Sequence, residues 1–327
     1  MMMNNLLLEG KAKKVVQATD PDQLILQFKD SLTAFNAQKK AELPGKGAIN
    51  AKISGLLFQF LESRGVKTHF LDQPSTDTLL VKKLHMLKLE VIVRNRASGS
   101  FCKRLGVADG TALPLTIVQY HLKDDNLCDP ILTEDEVFAL ALCDSAQLRD
   151  IRNLSLYINA LLKGLYDLIG IELVDFKLEF GVDEAGNLLL GDELCPDNMR
   201  LWEKGSHKRL DKDRFRLDLG DVLESYSLVA SKLEELLSGK ETILLPPFPV
   251  KVALKIKPQP GLLDPVGRTL TEAAKTLGFK SVEEIKAGKD LQLALTDYQL
   301  NLIPELCERI LVSPAAEIYT FEIESCL

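Results

Sequence analysis

Three charged residues share one face of a predicted strand near the middle of the chain. In LVDFKLEFG, residues 173–181, Asp175, Lys177 and Glu179 alternate with apolar side chains, which is the period of a strand with one buried face. Side chains two positions apart on a strand lie about 7 Å from each other, so Asp175 and Glu179 are about 13 Å apart and cannot bind one ion together. A second strand must supply any partner for Glu179.

The residues that follow predict a β-hairpin carrying a second carboxylate. Ala185 and Gly186 are turn residues, and an apolar run leads from them to Asp192. If those two residues form the turn, Glu179 lies directly opposite Asp192. If the turn moves on by one residue, the two carboxylates become diagonal neighbours on the same face, whereas a loop of odd length separates them.

Two neighbouring carboxylates are destabilising unless a cation lies between them. Mg²⁺ is commonly bound by one or two carboxylates together with substrate phosphates. The hairpin therefore predicts either a Mg²⁺ site at Glu179 and Asp192 or an exposed amphipathic hairpin whose charges keep it soluble. Lys177, on the same face, fits either a salt bridge or an anionic substrate.

The surrounding elements predict an α+β protein. Strands are predicted at 6–18, 22–28, 78–84 and 90–95, and helices at 50–65, 132–142, 145–169 and 218–238. Thr133 and Glu136 form the pattern of a capping box, in which each side chain bonds an unpaired backbone N–H of the other. The helix at 145–169 has a single apolar stripe and ends at Gly170.

A change of composition separates a small C-terminal domain. Residues 241–249 are predicted to be a proline-rich linker between a domain at 1–240 and a domain at 250–327, because three prolines between 246 and 249 cannot continue a helix. The small domain is predicted to be ferredoxin-like, with the order βαββαβ. Its strands and helices are expected at 250–256, 265–277, 281–286, 290–295, 297–312 and 317–323, and no catalytic constellation is evident in it.

Composition excludes several classes of protein. The 327 residues are 46% hydrophobic and 27% charged, which is ordinary for a soluble globular protein. No apolar stretch is long enough to span a bilayer and the start lacks a basic segment, so we expect a cytoplasmic protein that does not act at a membrane. The six cysteines have no CxxC spacing, which argues against a zinc site and a disulfide framework.

Charge points to a small ligand instead of nucleic acid. The net charge of -7 gives no general attraction for nucleic acid. Basic residues nevertheless cluster in EGKAKK, NAQKKAELPGKG, VRNRASGSFCKR and DKDRFR. Converging basic loops would suit a small polyanionic ligand, whereas separate ones are solvated surface.

Residues 6–238 resemble the SAICAR synthetase family of purine biosynthesis. The resemblance rests on EGKAKKV, LVKKL, LEVIVRNRASGS, LVDFKLEFG, GDELCPDNMRLW and DKDRFR, in the family's order. It implies a two-lobed ATP-binding fold of antiparallel sheets with helices, with lobes at about 1–85 and 86–240. It also implies a homo-oligomer. The implied reaction joins L-aspartate to carboxyaminoimidazole ribonucleotide with ATP and Mg²⁺, through an acyl phosphate.

The resemblance assigns nucleotide contacts to two segments. Its phosphate loop corresponds to Gly10, Lys11, Ala12 and Lys13, although an exposed turn explains those residues equally well. Lys82 and Leu84 correspond to the segment against the adenine, although by spacing alone they belong to an ordinary strand and loop. Glu179 and Asp192 would bind Mg²⁺.

Further residues are assigned to the substrate. Lys177 would face the carboxylate being activated, and Arg94, Ser100 and Arg200 would bind the phosphate and carboxylate of the ribonucleotide, with the lysine and both arginines as the catalytic groups. Asp197 would accept a hydrogen bond from the amino-imidazole or the ribose, and the alternative for it is a turn carboxylate beside Pro196. Asp175 is assigned a supporting role. Lys212 and Arg214 are assigned anion contacts, although a charged helix start explains them equally well.

The tail resembles the PurS-type small subunit of phosphoribosylformylglycinamidine synthase, most specifically at GLLDPVGR. That resemblance implies a noncatalytic module that dimerises and bridges glutaminase and synthetase subunits. The alternative for the whole chain is a small-molecule kinase with a C-terminal homodimerisation module.

Overall fold

The computed structural model describes residues 6–34, 38–239, 243–245, 250–295 and 303–326. The chain divides into two compact units, residues 1–246 and 247–327. Most of the predicted linker at 241–249 and the first part of the helix predicted at 297–312 lie outside the described residues.

The first half of unit 1 is built on a five-stranded antiparallel sheet in the order β1-β2-β3-β7-β6. Its elements are β1 (Leu6–Glu9), β2 (Lys13–Gln17), β3 (Gln23–Phe28), β4 (Ser31–Ala34), β5 (Lys39–Glu42), α1 (Lys46–Ser63), β6 (Phe70–Ser75) and β7 (Thr78–Lys82). Strands β4 and β5 form a separate ribbon. The carboxylate of Asp30 caps α1 by accepting the N–H of Gly45 and of Gly47, at 3.1 and 2.9 Å.

The second half of unit 1 is built on a six-stranded sheet in the order β10-β9-β8-β11-β12, with β13 also paired to β11. Its elements are β8 (His85–Arg96), α2 (Ser100–Leu105), β9 (Ala112–Leu122), a 3-10 turn (Asp125–Leu127), β10 (Ile131–Leu132), α3 (Glu134–Ala139), α4 (Ser145–Leu168), β11 (Ile171–Val182), β12 (Leu188–Gly191), β13 (Met199–Glu203), α5 (Asp213–Arg216) and α6 (Val222–Leu237). The predicted capping box of Thr133 and Glu136 is confirmed. None of the helices in the described residues has the length and apolarity that a membrane span requires.

Strand β11 is the centre of the second sheet. Its predicted apolar face is confirmed, since Val174, Phe176, Leu178 and Phe180 are each at most 1% exposed. Burying four such side chains removes enough apolar surface to fix which face of β11 points inward. The three charged residues consequently lie together on the other face.

The two sheets of unit 1 are joined by hydrogen bonds as well as by the chain. Thr68 forms an isolated parallel bridge with Leu190 of β12. The N–H of His69 donates to the Leu190 carbonyl at 2.9 Å, and the N–H of Leu190 donates to the Lys67 carbonyl at 3.1 Å. This connection fixes the end of β12 against the first sheet.

Unit 2 has an antiparallel sheet in the order β15-β14-β16. Its elements are β14 (Val250–Pro258), α7 (Pro265–Thr276), β15 (Lys289–Leu295), α8 (Ile303–Leu306), a π-helical turn (Cys307–Leu311) and β16 (Glu317–Cys326). As predicted, Asp264 and Pro265 start a helix, with the Asp264 carboxylate accepting the N–H of Gly267.

The prediction of a strand at 281–286 is wrong. Residues 282–288 have no regular secondary structure, so the described sheet has three strands where βαββαβ requires four. The Thr271 hydroxyl accepts the N–H of Ile285 at 2.8 Å, and the Asp264 carboxylate accepts the N–H of Ala287 at 2.7 Å. The side chains of Asp264, just before α7, and Thr271, within α7, accept these backbone N–H groups. The segment is therefore held along the helix and not in the sheet.

Candidate active site

The three charged side chains of β11 each meet a partner of opposite sign from a neighbouring strand or loop. Asp175 lies opposite Arg94 of β8 and accepts a hydrogen bond from its Nη1 at 2.5 Å. Lys177 donates to Glu90 of β8 at 2.9 Å. Glu179, which is 1% exposed, contacts Lys123 from the end of β9. Buried charges are stable only when paired, and on this face Asp175 and Glu179 are buried while Lys177 is about a quarter exposed.

The predicted register of the β11–β12 hairpin is wrong. Glu179 pairs with Gly191, one residue short of Asp192, and the loop between the strands is the odd-length 183–187. The Asp183 carboxylate builds this loop by accepting the N–H of Ala185 at 3.0 Å and of Asn187 at 2.8 Å. A side chain therefore sets the loop length, and the two-residue turn does not form.

Asp192 nevertheless reaches the side chain of Glu179 by a different route. Strand β12 ends at Gly191, and Asp192 adopts a left-handed φ of 61°, which costs a non-glycine residue about 1 kcal/mol or more. The Lys177 Nζ lies 2.5 Å from Glu179 and 3.6 Å from Asp192. The two predicted metal ligands thus share one lysine.

These residues belong to a larger group that we call the lysine–carboxylate cluster. It consists of three lysines and four carboxylates: Lys13, Lys123, Lys177, Glu90, Glu179, Asp192 and Glu193. Three positive charges against four negative ones leave a net charge of -1, so a further cation fits the cluster electrostatically.

The pKa values of the cluster follow from burial and from these pairs. Burial raises the pKa of Asp192, but the lysines at 13, 177 and 123 outweigh it and hold that pKa well below its usual range. The pKa of Glu179 is raised, first by burial and then by the charge of Asp192. Burial lowers the pKa of Lys177, but Glu179, Asp192 and Glu90 together raise it well above its usual value. The lysine remains charged at any physiological pH.

The oxygen donors of the cluster fit Mg²⁺. Within the described residues, no group of three or more His, Cys, Asp or Glu side chains is arranged to hold a metal ion. Two converging carboxylates, Glu179 and Asp192, are what Mg²⁺ uses when substrate phosphates and water supply its remaining ligands. A closed site made by the protein alone is not expected here.

A second group, the arginine pair, lies at the other end of the same face. Arg94 and Arg200 both donate to the buried carboxylate of Asp175, at 2.5 and 2.8 Å. Arg94 also donates to the Ser100 hydroxyl at 3.3 Å, and Arg200 Nε donates to Asp213 at 2.8 Å. The structure thus brings together the residues predicted to bind the ribonucleotide, and it adds Asp213, which the sequence reasoning missed.

The absence of a side chain at Gly99 leaves room for the Arg200 guanidinium. A Cβ at this residue would clash with the Arg200 Nη2 and would lie 2.8 Å from its Cζ, and the φ of 59° is left-handed. Because Asp175 and Asp213 hold Arg200 in position, the guanidinium cannot simply move aside.

We therefore expect Gly99→Ala to raise the KM for the ribonucleotide by about 10–100-fold while the KM for ATP stays unchanged, because a displacement of about 1 Å at a binding group has effects of this size. Gly106→Ala is the matched control, since Gly106 has a φ of 67° with nothing within 4 Å of its Cβ. Equal effects of the two variants in steady-state kinetics would refute the role of Gly99.

Asp197 belongs to a third buried group. Its carboxylate accepts from Lys46 at 2.7 Å, Asn50 at 3.0 Å and Tyr226 at 2.8 Å. Burial raises the pKa of Asp197, but Lys212 and Lys46 with the hydrogen bonds outweigh it and lower that pKa. The carboxylate already accepts three hydrogen bonds from the protein, which favours holding α1 and α6 together over the predicted substrate contact.

Lys46 is a residue that the sequence reasoning missed. It is fully buried and is the first residue of α1. A lysine is unfavourable at a helix N-terminus because of the helix dipole. That mismatch is a signal in the sequence, since it requires an acidic partner from elsewhere in the chain.

The structure favours the second interpretation, a charged helix start, for one of the two basic residues assigned secondary anion contacts. Arg214 lies in α5, is 5% exposed, and donates to the carbonyls of Gly220, Arg209 and Leu219 at 2.7 to 3.1 Å. Its donors hold a loop, and its anion contact stays a prediction. Lys212 is half-buried, and burial lowers its pKa.

The first of the two predicted nucleotide segments, the turn at 10–13, lies beside the lysine–carboxylate cluster. In the turn at 10–13, Gly10 N–H donates to the Lys13 carbonyl at 2.9 Å, Lys11 pairs with Asp125 at 2.6 Å, and Lys13 contacts Asp192. Leu84 packs over Gly181, where a Cβ would come within 2.9 Å of the Leu84 Cβ. Lys82 lines a separate cleft of about 420 Å³.

His69 is a further residue that the motifs did not indicate. It is 4% exposed, its backbone N–H donates to the Leu190 carbonyl at 2.9 Å, and its ring Nε2 is buried without a hydrogen-bond partner among the described residues. Burial, and then the charge of Lys13, lowers its pKa to about 3. The imidazole is therefore neutral at physiological pH.

Comparisons with known proteins agree with both resemblances. Residues 6–233 match the SAICAR synthetase family model, and residues 251–325 match the PurS model, described as phosphoribosylformylglycinamidine (FGAM) synthase. The phosphoribosylaminoimidazole-succinocarboxamide synthase of a Nitratiruptor species is 47% identical over 238 residues, which are 72% of this chain and 100% of that protein.

Solved structures give the same result. The crystal structure of the synthase from Ehrlichia chaffeensis is 44% identical with a TM-score of 0.69, covering 70% of this chain and 98% of that one. A SAICAR synthetase in complex with ADP is 41% identical with a TM-score of 0.68, covering 72% of this chain and 99% of that one. The chain belongs to the SAICAR synthetase family, the phosphoribosylaminoimidazole-succinocarboxamide synthases of purine biosynthesis, and it carries that domain fused to a C-terminal PurS domain.

Proposed function

We propose that unit 1 ligates L-aspartate to carboxyaminoimidazole ribonucleotide with ATP, and that the acid is first converted to an acyl phosphate. The observation that carries this proposal is the arrangement along β11. Lys177 lies on the same strand face between Asp175, which holds the arginine pair, and Glu179 of the lysine–carboxylate cluster. Neighbouring positions on a strand face are about 7 Å apart, a spacing that suits a phosphate donor and a carboxylate acceptor in one site.

The nucleotide is assigned to the cluster and its neighbours. Lys13, now paired with Asp192, would exchange that partner for phosphate oxygens, and Lys11 lies in the same turn on an exposed ion pair that is easily broken. A side chain at residue 10 would not clash with the protein, because a Cβ there would meet only the Lys13 carbonyl, at 3.5 Å. A glycine at this position therefore suits close approach of a ligand to the backbone. A related SAICAR synthetase forms a complex with ADP, which supports the use of ATP by this chain. Leu84 supplies an apolar surface for the base.

Mg²⁺ would be held by Glu179 and Asp192, and when bound it would neutralise phosphate charge. The protein's own groups orient the acceptor. Arg94 and Arg200 present planar donors suited to phosphate and carboxylate, and Lys177 carries a fixed positive charge toward the oxygen that is phosphorylated. Phosphoryl transfer of this kind depends on positioning and charge stabilisation more than on covalent participation.

The second step needs an acceptor amine. The aspartate nitrogen attacks the acyl carbon, the amide C–N bond forms, and the C–O bond to phosphate breaks, so inorganic phosphate leaves with the electron pair. The amine nitrogen loses one proton in this step, and the departing phosphate accepts it. The cationic groups along the β11 face stabilise the negative charge that develops on the acyl oxygen.

A small-molecule kinase remains the second candidate, because the lysine–carboxylate cluster alone would serve one. We expect ADP release to fall at least about tenfold when L-aspartate is omitted, since the bound amine resolves the acyl phosphate far faster than water does. A coupled assay of ADP, with and without L-aspartate at saturating ribonucleotide, makes the measurement. ADP release that is indifferent to the amine would favour the kinase.

For unit 2, we propose assembly with the glutaminase and synthetase subunits of FGAM synthase. The match of residues 251–325 to the PurS model supports this role. The alternative is homodimerisation alone, and capture of those subunits by the full chain distinguishes the two.

A further inference from the structure

A pair of asparagine side chains lies behind the arginine pair, where the second sheet packs against α4. Asn95 follows Arg94 in β8, and Asn159 belongs to α4 and is fully buried. Asn95 Nδ2 donates to Asn159 Oδ1 at 2.8 Å, and Asn159 Nδ2 donates back to Asn95 Oδ1 at 3.0 Å. The Thr116 hydroxyl of β9 also donates to Asn95 Oδ1, at 3.2 Å. This amide network therefore joins two strands of the sheet to the helix.

The side chain of Asn95 extends the network to a third strand. Among the described residues, the ladder between β8 and β11 ends at the pair of Arg94 with Asp175. One residue further along β8, Asn95 Nδ2 donates to the Leu173 carbonyl of β11 at 3.1 Å. This side-chain bond continues the connection of the two strands at the point where their backbone pairing stops.

Two irregularities of the sheet meet at the same place. The register of β8 with β9 shifts between Arg94 and Arg96, and the register of β11 with β13 shifts between Leu173 and Asp175. The second shift is a bulge of one residue in β11, beyond which Asp175 pairs with Arg200. A bulge interrupts the ladder locally and re-aims the side chains beside it. Side-chain bonds consequently have a larger part in fixing the backbone here than in a regular sheet.

The hydrogen-bonding capacity of Asn95 is fully used. Its two N–H groups donate to Asn159 and Leu173, and its carbonyl accepts from Asn159 and Thr116. A buried network that is fully satisfied holds one arrangement, because any other leaves a buried polar group without a partner. Asn159 attaches that arrangement to α4, which packs against β8, β9 and β11.

We propose that Asn159, acting through Asn95, is a positioning residue for the arginine pair, because it fixes the backbone beside Arg94 and Asp175 from the far side of the sheet. This inference rests on the proposed binding of the ribonucleotide by that pair. A displacement of about 1 Å at a binding group has large effects, so loss of the Asn159 amide should raise the KM for the ribonucleotide by about 10–100-fold. The KM for ATP should not change, because ATP is assigned to the lysine–carboxylate cluster at the other end of the β11 face.

The test is steady-state kinetics of the full chain, with the urea midpoint measured for each variant. Asn159→Ala removes both hydrogen bonds to Asn95 and should show the selective rise in the KM for the ribonucleotide. Leu162→Ala is the matched control, since Leu162 lies three residues further along α4 and is also fully buried. Its truncation lowers the urea midpoint through a cavity but leaves the amide network intact, so both KM values should stay unchanged.

A double variant tests whether the two amides act as one unit. Asn95→Ala removes the bonds to Asn159 and to Leu173, so adding Asn159→Ala to it should raise the KM for the ribonucleotide no further. Should Asn159→Ala fold poorly, Thr116→Val replaces it. Thr116→Val removes one donor to the same Asn95 oxygen at nearly constant size, and it should raise the same KM.

Four results would overturn the inference: an unchanged KM for the ribonucleotide in Asn159→Ala or in its replacement, an equal rise in the KM for ATP, an equal rise in Leu162→Ala, or summed effects in the double variant. Arg94→Gln is assayed in parallel. If Arg94→Gln leaves the KM for the ribonucleotide unchanged, the proposed role of the arginine pair fails and the inference fails with it. A rise in Arg94→Gln alone refutes only the role of Asn159.

Discussion

Asp192→Asn is expected to lower aspartate-dependent ADP release by at least about 100-fold while the protein remains folded. The substitution removes one of the two carboxylates proposed for Mg²⁺ and a partner of both Lys13 and Lys177. Folding should survive because Lys13 still contacts Glu193, and Lys177 still contacts Glu179 and Glu90. Steady-state turnover and the urea midpoint, measured on the same preparation, separate the two effects.

Glu184→Gln is the matched control for that experiment. Glu184 lies in the loop of the same hairpin, where it is 74% exposed and 3.1 Å from His85. Neutralising a surface carboxylate of this kind should change turnover less than about twofold. Unchanged turnover in Asp192→Asn would remove the basis for the metal site, whatever the control shows.

The sequence predicted the charged face of β11 correctly and its hairpin register incorrectly, and the difference has a physical cause. Alternation is a local property, so Asp175, Lys177 and Glu179 could be placed on one face from their spacing. The loop length depends on hydrogen bonds of the Asp183 side chain, and the approach of Asp192 depends on a left-handed backbone. Neither is visible in a pattern of apolar and polar residues.

Partners far apart in the chain were equally hidden. Lys46 and Asp197 are separated by 151 positions and form a buried pair, and nothing in the spacing of either segment relates them. The resemblance to a known family pointed to Arg94 and Arg200, which the structure brings together on Asp175, but it did not indicate the buried His69.

The three charge groups of unit 1 would allow an acidic protein to bind the several anions of the proposed reaction. Each basic side chain of the cluster and of the arginine pair is now neutralised by a carboxylate of the protein, so no surplus positive field has to be maintained. Substrate phosphates and carboxylates would compete with those internal carboxylates for the same lysines and arginines. Binding then exchanges ion pairs instead of creating new ones, which limits the desolvation cost.

Asp175→Asn is expected to destabilise the ligand-free protein by about 3–5 kcal/mol, because removing one partner of a buried ion pair leaves an uncompensated charge. The carboxylate is the shared partner of Arg94 and Arg200, and its side chain is 5% exposed. Without it, the two guanidinium groups face each other across β11. Urea denaturation in the absence of ligand gives the free energy of unfolding.

Glu172→Gln is the control for Asp175→Asn. Glu172 pairs with Arg96 at 2.5 Å on the same strand, but both side chains are about a quarter exposed, so the loss should be at most about 1 kcal/mol. A bound phosphate ester supplies the negative charge that Asp175→Asn lacks, so the ribonucleotide should raise the urea midpoint of this variant more than that of the unsubstituted protein. Equal losses in the two variants, or no additional stabilisation by the ribonucleotide, would show that the arginine pair does not depend on Asp175 and does not meet the anionic substrate.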